Sequence, residues 1–420
     1  MQNTPVKRLC LDAGAAGLLG VVLSVVIGVD RMLPASHQPN AGGPGKMNLL
    51  APSSPYALRV AENKEDWIAE YGGTKKSEAA VAAGLDWLVR HQGKDGSWSQ
   101  SHLSRGPNGV CEENAHCGGA GQDFPFAQTG LAVLALQAAG NFEFNDARYS
   151  DAVRRGLHWL AEHQSNDGLL CHGMTPTHMY EHGMAAFALS ESCAAAKAFG
   201  KPPDPQILAA ATKGIGYIEK HQHNDGGWRY SDFEGEGSDT SVSGWQVLAL
   251  KSAHGADIPF SDECTRKVKY FFQRCESGNK GRTGYTTPAP LTDATTGVGM
   301  LVHQFLLNDP DADLVKQAAP YLAKQAEDLW GRNRLNPDDY YLWYNCTLAM
   351  CMAGGDPWNR WNAVVRDLVM SRQEGPGSGC ARGSWPPSDR YGGAGGRIYS
   401  TALAVLTLEV YYRFAKVKAP

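Results

Sequence analysis

The sequence predicts an all-α fold, a single (α/α)6 toroid of six helical hairpins, and three observations lead there. First, a phrase recurs: LDWLVRHQGKDGSW at 85–98, LHWLAEHQSNDGLL at 157–170 and IGYIEKHQHNDGGW at 215–228. Each copy is apolar at helical spacing (Val81, Leu85, Leu88 and Val89, then Val153, Leu157 and Leu160) and ends in His-Gln and an Asp-Gly turn. Second, runs that are apolar nearly all round follow these turns, at 126–140, 181–196 and 240–253, with more at 295–307, 340–355 and 398–412. A helix without a polar face must be enclosed by other protein. Third, amphipathic outer and enclosed inner helices alternate six times between about residues 73 and 416, roughly 57 residues per pair. Closing the six pairs on themselves lets the outer ring cover the inner one without capping repeats.

Ahead of the repeats, Lys7 and Arg8 precede an uncharged apolar run from Ala13 to Val29 that stops at Asp30-Arg31. Residues 1–31 read as a signal anchor or signal peptide, with an N-terminal membrane helix. Basic residues before the run keep the N-terminus cytoplasmic, so the rest is expected to be membrane-anchored or exported, in a periplasm-like space. Residues 32–72, rich in Pro, Gly, Ser and Asn, read as a disordered linker, and the toroid is expected over 73–416. Nine cysteines fall in it. Cys193, Cys346 and Cys351 sit in apolar runs and read as buried thiols, and Cys111 and Cys117 are the nearest loop pair. The 39 basic and 43 acidic residues give a net charge of −4 with no Lys/Arg block. That balance excludes a nucleic-acid binder, whose affinity rests on neutralising phosphates.

Helix, Gln, Asp-Gly and Trp at fixed offsets resemble the repeats of the squalene–hopene cyclase and protein prenyltransferase β-subunit superfamily, across essentially the whole of 73–414. The resemblance implies scaffold roles for Gln92, Gln164, Gln222, Trp98 and Trp228, and a hydrophobic small-molecule or lipid ligand, isoprenoid-like, in the ring cavity. Hopene-type cyclases carry a D-x-D-D-T-A motif whose activated Asp protonates an alkene. Glu236-Gly237-Ser238-Asp239-Thr240-Ser241 is similar, with Glu for the first Asp and Ser for the middle one. If the protein is an enzyme, the resemblance implies a cyclase-like isomerase or lyase, or a prenyltransferase-like transferase, with a degraded acid motif. The thioester domains that share this toroid need a Gly-Cys-Gly-Glu-Gln run, and none exists.

In such a ring the inner helices run parallel, and their N-termini share one face with the long connections 93–125, 165–178, 223–239, 276–293 and 374–397. Helix N-termini favour anions, and loops on a rigid scaffold carry function. The candidate catalytic residues there are Asp239, the acid, with Glu236, Tyr180, Glu181, His182, Asp293 and Asp339. N-capping also explains acidic residues at these positions, namely Asp123, Asp239 and Asp293. Zinc is the one cofactor suggested. His178-Met-Tyr-Glu181-His182 fits the H-x-x-E-H spacing of zinc peptidases, and Cys171-His172-Gly173 resembles the Cys-His-Gly of zinc-bearing lanthionine cyclases. Cys171, His172 and His182 are therefore the metal candidates, with Cys111 and His116-Cys117 as further soft ligands on the rim. The competing reading is a non-catalytic module whose mouth and loop 377–397 hold a protein or glycan partner.

Overall fold

The computed structural model describes residues 54–103, 109–112, 117–119, 121–173, 175–233, 235, 237–331 and 337–413. The described residues are helical, with isolated bridges in place of strands. A short helix α1 (Lys64–Glu70) precedes six hairpins. The outer helices are α2 (Lys75–Arg90), α4 (Ser150–Glu162), α6 (Pro205–Lys220), α8 (Asp262–Cys275), α10 (Asp313–Ala326) and α12 (Gly355–Ser371). The inner helices are α3 (Pro125–Ala138), α5 (His178–Ala198), α7 (Thr240–Gly255), α9 (Asp293–Phe305), α11 (Tyr340–Ala353) and α13 (Gly392–Leu408), followed by α14 (Val410–Arg413). Every inner helix packs on the next, and α13 packs on α3, so the ring is closed. Contacts at matching depths show neighbouring inner helices to be parallel: Gln246 donates to Met179 O near the starts of α7 and α5, and Ser252 reaches Glu191 toward their ends.

The repeat residues do the joining. Gln92 Nε2 donates to Gly96 O of its own turn and to Ala152 O of the next outer helix. Gln164 joins Gly168 O to Ala210 O, and Gln222 joins Gly226 O to Cys264 O. Gln373, in the degraded last copy, joins Gly383 O to Ala80 O of α2 and completes the circle. One amide thus satisfies two backbone acceptors that burial would otherwise strand. The repeat tryptophans are fully buried, and Nε1 of Trp98, Trp228 and Trp385 donates to Leu88 O, Ile218 O and Val369 O at 2.7–2.8 Å. Gly156 makes room for this: a Cβ there would stand 2.9 Å from the Trp98 ring and 2.8 Å from Val133.

The folded part begins ahead of Gly73, against the expectation of a linker to residue 72. Ala57–Val60 forms a 3-10 turn, and Tyr56, Leu58, Trp67 and Ile68 are buried. The Pro/Gly-rich composition stops near Pro55, and YALRVAENKEDWIAEY supplies apolar anchors instead. This strap crosses the end of the ring where the inner helices finish. Arg59 pairs with Glu191 of α5 at 2.7 Å and donates to Arg413 O and Gln137 O, while Tyr56 and Ser252 donate to the other Glu191 oxygen. Burial would raise Glu191, but the Lys251, Arg59 and Arg413 cations pull it down to about 2. The expected membrane segment at 1–31 lies outside the described residues, and among those described no helix is long and apolar enough to cross a membrane.

Candidate active site at the ring mouth

The opposite end of the ring, where the inner helices begin, gathers carboxyls and tyrosines. Asp239 is the N-cap of α7: its side chain accepts from Val242 N at 2.9 Å. It is wholly buried, and its second oxygen, Oδ2, makes no direct hydrogen bond to a described residue, with Arg229 Nη1 3.7 Å away. Burial raises its carboxyl to about 6, against the pull of the Val242 N–H, the Arg229 charge, the Ser241 N–H and the Tyr285 hydroxyl. Tyr180, Tyr285 and Tyr341 stand close enough for the Asp239 charge to raise their phenols further, after burial has done most of it. The Tyr230 and Tyr285 hydroxyls are hydrogen-bonded to each other, and the Tyr180 and Tyr230 rings lie 5.8 Å apart.

Across the mouth Asp339 caps α11, accepting from Leu342 N at 2.8 Å, with Arg390 Nε 3.8 Å from its other oxygen. Burial raises it too. Asp389, from the last connection, accepts from Tyr340 N, and burial together with Asp339 raises it to about 7. Below this rim, aromatic rings fill the interior. Trp245 of α7 stacks on Tyr344 of α11 at 5.7 Å and meets Tyr341 at 6.5 Å, although α9 separates the two helices around the ring. The site is therefore an aromatic interior beneath a rim of carboxyls whose environments favour the protonated form.

The structure brings together Asp239, Tyr180 and Asp339, with Tyr341 between the two acids, and disperses the other candidates. Glu181 lies beside the Phe126 and His172 backbone near Asp123, and burial raises it to about 8. Asp293 is the first residue of α9, behind the cap Thr292, and accepts from Tyr321 of outer helix α10, on the outside of the ring. Asp123 caps nothing: it accepts from Ser99. Glu236 lies outside the described residues. His182 is scaffold. Its Nδ1 accepts from Leu170 N and its Nε2 meets Gly214 O, so it does for Leu170 what Thr129, Ser243 and Thr401 do for Trp98, Trp228 and Trp385. His178 is likewise held by Thr175 O and Asp232 N, which leaves the H-x-x-E-H spacing without a free imidazole. Cys171 bonds Gly173 O and converges with neither His172 nor His182. Among the described residues, the Cys/His group that does converge is His91, Cys111, Cys117 and Cys380, and it could hold a metal ion. Asp389 and the tyrosines at 230, 285 and 341 escaped the sequence reading. Tyr230 and Tyr285 follow turn residues in connections of no fixed period, and the Tyr340-Tyr341 pair was the one visible sign.

Comparison with known proteins now has a geometry to meet. The family model of the squalene–hopene cyclase C-terminal domain matches residues 68–182. A probable squalene–hopene cyclase of Sinorhizobium fredii is 25% identical over 324 residues, covering 66% of this chain and 45% of its own length. This chain thus spans about half of that relative. The type II terpene cyclase from Scytonema superposes with a TM-score of 0.51 at 14% identity, over 80% of this chain and 98% of that one. The chain is thus similar to squalene-cyclase-like toroid proteins. A variant of the Scytonema enzyme was solved with geranylgeranyl dihydroxybenzoate, at a TM-score of 0.51, 13% identity, and 80% and 97% coverage. The toroid is also shared with an α-1,6-mannanase from Salegentibacter sp. HEL1_6, at a TM-score of 0.54, 10% identity, and 80% and 99% coverage. Set beside these cyclases, the chain departs from the acid motif where the structure explains it. Ser238 takes the place of the middle Asp and turns its hydroxyl to Asp225 of the Asp-Gly turn at 2.5 Å, leaving Asp239 alone at the start of α7.

Proposed function

We propose that the ring binds an apolar isoprenoid-like ligand among its interior rings and that Asp239 donates the proton that starts its conversion. The observation that carries this reading is the Asp239 carboxyl, buried and raised to about 6 among the phenols of Tyr180, Tyr285 and Tyr341. Protonating an alkene requires an acid held neutral near working pH and aimed into a dry pocket. The proton would pass from Asp239 to an alkene carbon, leaving a carbocation on the ligand. The faces of Trp245, Tyr341 and Tyr344 favour such a cation through their ring quadrupoles. Loss of a proton from a neighbouring carbon, or capture of water, ends the reaction, and solvent reprotonates Asp239.

A glycan at the same mouth is the competing reading, and Asp338-Asp339 is its nearest carboxyl pair. Asp338, however, is tied to Arg372 at 2.7 Å and to Ser388 at 2.6 Å, which leaves Asp339 with Asp389 as the carboxyls facing the mouth. The test is extraction and mass spectrometry of lipid co-purifying with the full chain, then incubation with geranylgeranyl and squalene-type polyenes in detergent. Bound isoprenoid, and a cyclised or hydrated product lost in Asp239→Asn, support the proposal. Unchanged turnover in Asp239→Asn, or binding of mannan oligosaccharides with none of the polyenes, overturns it.

A further inference from the structure

We propose that His91, Cys111, Cys117 and Cys380 are a zinc-class metal site that clips the first hairpin of the ring to the last. Their ligand atoms all lie within 4.8 Å of one another. Cys111 Sγ and Cys117 Sγ are 3.2 Å apart, Cys117 Sγ is 3.3 Å from His91 Nε2, and His91 Nε2 is 3.2 Å from Cys380 Sγ. With metal–sulfur bonds of about 2.3 Å and metal–nitrogen bonds of about 2.0–2.1 Å, a tetrahedral ion needs its ligand atoms roughly 3.4–3.8 Å apart. The three close pairs reach that spacing by a few tenths of an ångström of expansion, and the widest separation, up to 4.8 Å, reaches it by closing about 1 Å around a central ion.

The surroundings are those of a ligand set. His91 Nδ1 lies 2.7 Å from Trp87 O, to which it donates, so the Nε2 lone pair faces the sulfurs. The ring stacks on Trp87 at 4.3 Å, which fixes its plane. The repeat histidine of the second copy, His163, makes the same Nδ1 contact to Trp159 O, so the scaffold orients this imidazole and only the thiols are new. Arg397 donates to Cys117 O and is itself held by Ser384. Glu112 N donates to Cys380 Sγ at 3.4 Å, and the Glu112 carboxylate pairs with Arg90 and Arg382. Three thiolates around a divalent ion leave one negative charge, and these arginines stand beside it. Soft sulfur ligands with one imidazole select zinc over magnesium or calcium, and four protein ligands leave no open position for substrate. The site is structural.

Its place in the chain gives the reason for it. His91 caps the end of α2, Cys111 and Cys117 belong to the α2–α3 connection, and Cys380 to the α12–α13 connection. The ion would join residues 289 apart in sequence across the seam where the ring meets itself. Fixing so long a loop has a large entropic value, and metal binding free energy becomes folding free energy.

The test is elemental analysis of the full chain purified reduced and without chelator, beside cobalt substitution of the same protein. One zinc per chain, and thiolate-to-cobalt charge-transfer absorption, are expected. Cys380→Ser and His91→Ala should each lower zinc content at least tenfold in a competing chelator, while Cys193→Ser, a buried thiol elsewhere, keeps it. Should the site variants fail to fold, the cobalt spectrum of the unaltered chain still decides. Failure of the reduced protein to take up zinc or cobalt overturns the proposal. So does a Cys111–Cys117 disulfide in the native protein that, once reduced, yields no zinc site.

Discussion

The two ends of the ring are built from the same helices and treat buried charge in opposite ways. Where the inner helices finish, Glu191 receives Arg59, Tyr56 and Ser252 and is held down to about 2. Where they begin, Asp239 and Asp389 are buried with fewer partners and pushed up to about 6 and 7. A carboxylate that stays charged in the interior must be paired, and an acid that is to give up a proton must not be. The contrast leaves one end closed by paired charge and the other with buried carboxyls raised by their surroundings.

The largest expected effect is at the closed end. Glu191→Ala leaves the Arg59 guanidinium buried without its carboxylate and should cost about 3–5 kcal/mol in urea unfolding. A loss below about 1 kcal/mol would show that the strap contributes little. Next, Asp239→Asn should lower turnover roughly 10²-fold or more while raising stability at pH 8 by roughly 1–3 kcal/mol. Asparagine still caps α7, and a carboxyl that burial disfavours is gone. A fall in stability with full turnover would make Asp239 a cap and nothing else.

Proton linkage separates the ends more finely. Glu191, lowered in the fold, contributes stability that is complete above about pH 4.5 and lost as pH falls toward 2. Asp239, raised in the fold, acts in reverse: its ionisation costs stability from about pH 4 upward, and the cost is complete above about 6. Unfolding free energy followed from pH 3 to 8 should therefore fall less steeply between 4 and 6 in Asp239→Asn than in the unaltered chain. Its rise on the acid side should be shallower in Glu191→Gln. The smallest effect is in the frame common to both ends. Gln164→Ala strands the Gly168 and Ala210 carbonyls and should cost about 1–3 kcal/mol without changing ligand binding.

The ring was legible because its signal is periodic. Gln92, Gln164 and Gln222 each recur four residues before the glycine whose carbonyl they bond, and the reading of them as helix ties matches the structure. The capping position of Asp239 before α7 was legible in the sequence. The error at His182 arose because a histidine replacing a threonine or serine in one copy looks like added chemistry, when it fills the same hydrogen-bonding post. Asp293 failed for a rotational reason: one position past the cap, a side chain turns away from the interior toward α10. The His91 cluster draws on two connections with no shared period, and its histidine is a repeat residue, so spacing could not assemble it.

The strap over the far end fixes which way the molecule faces. Residues 54–60 leave the body of the protein on the side away from Asp239 and Asp339. A purification tag or a surface linker joined ahead of them attaches at the end of the ring opposite those two acids. Immobilised by that handle, the molecule turns its Asp239 end toward the solution.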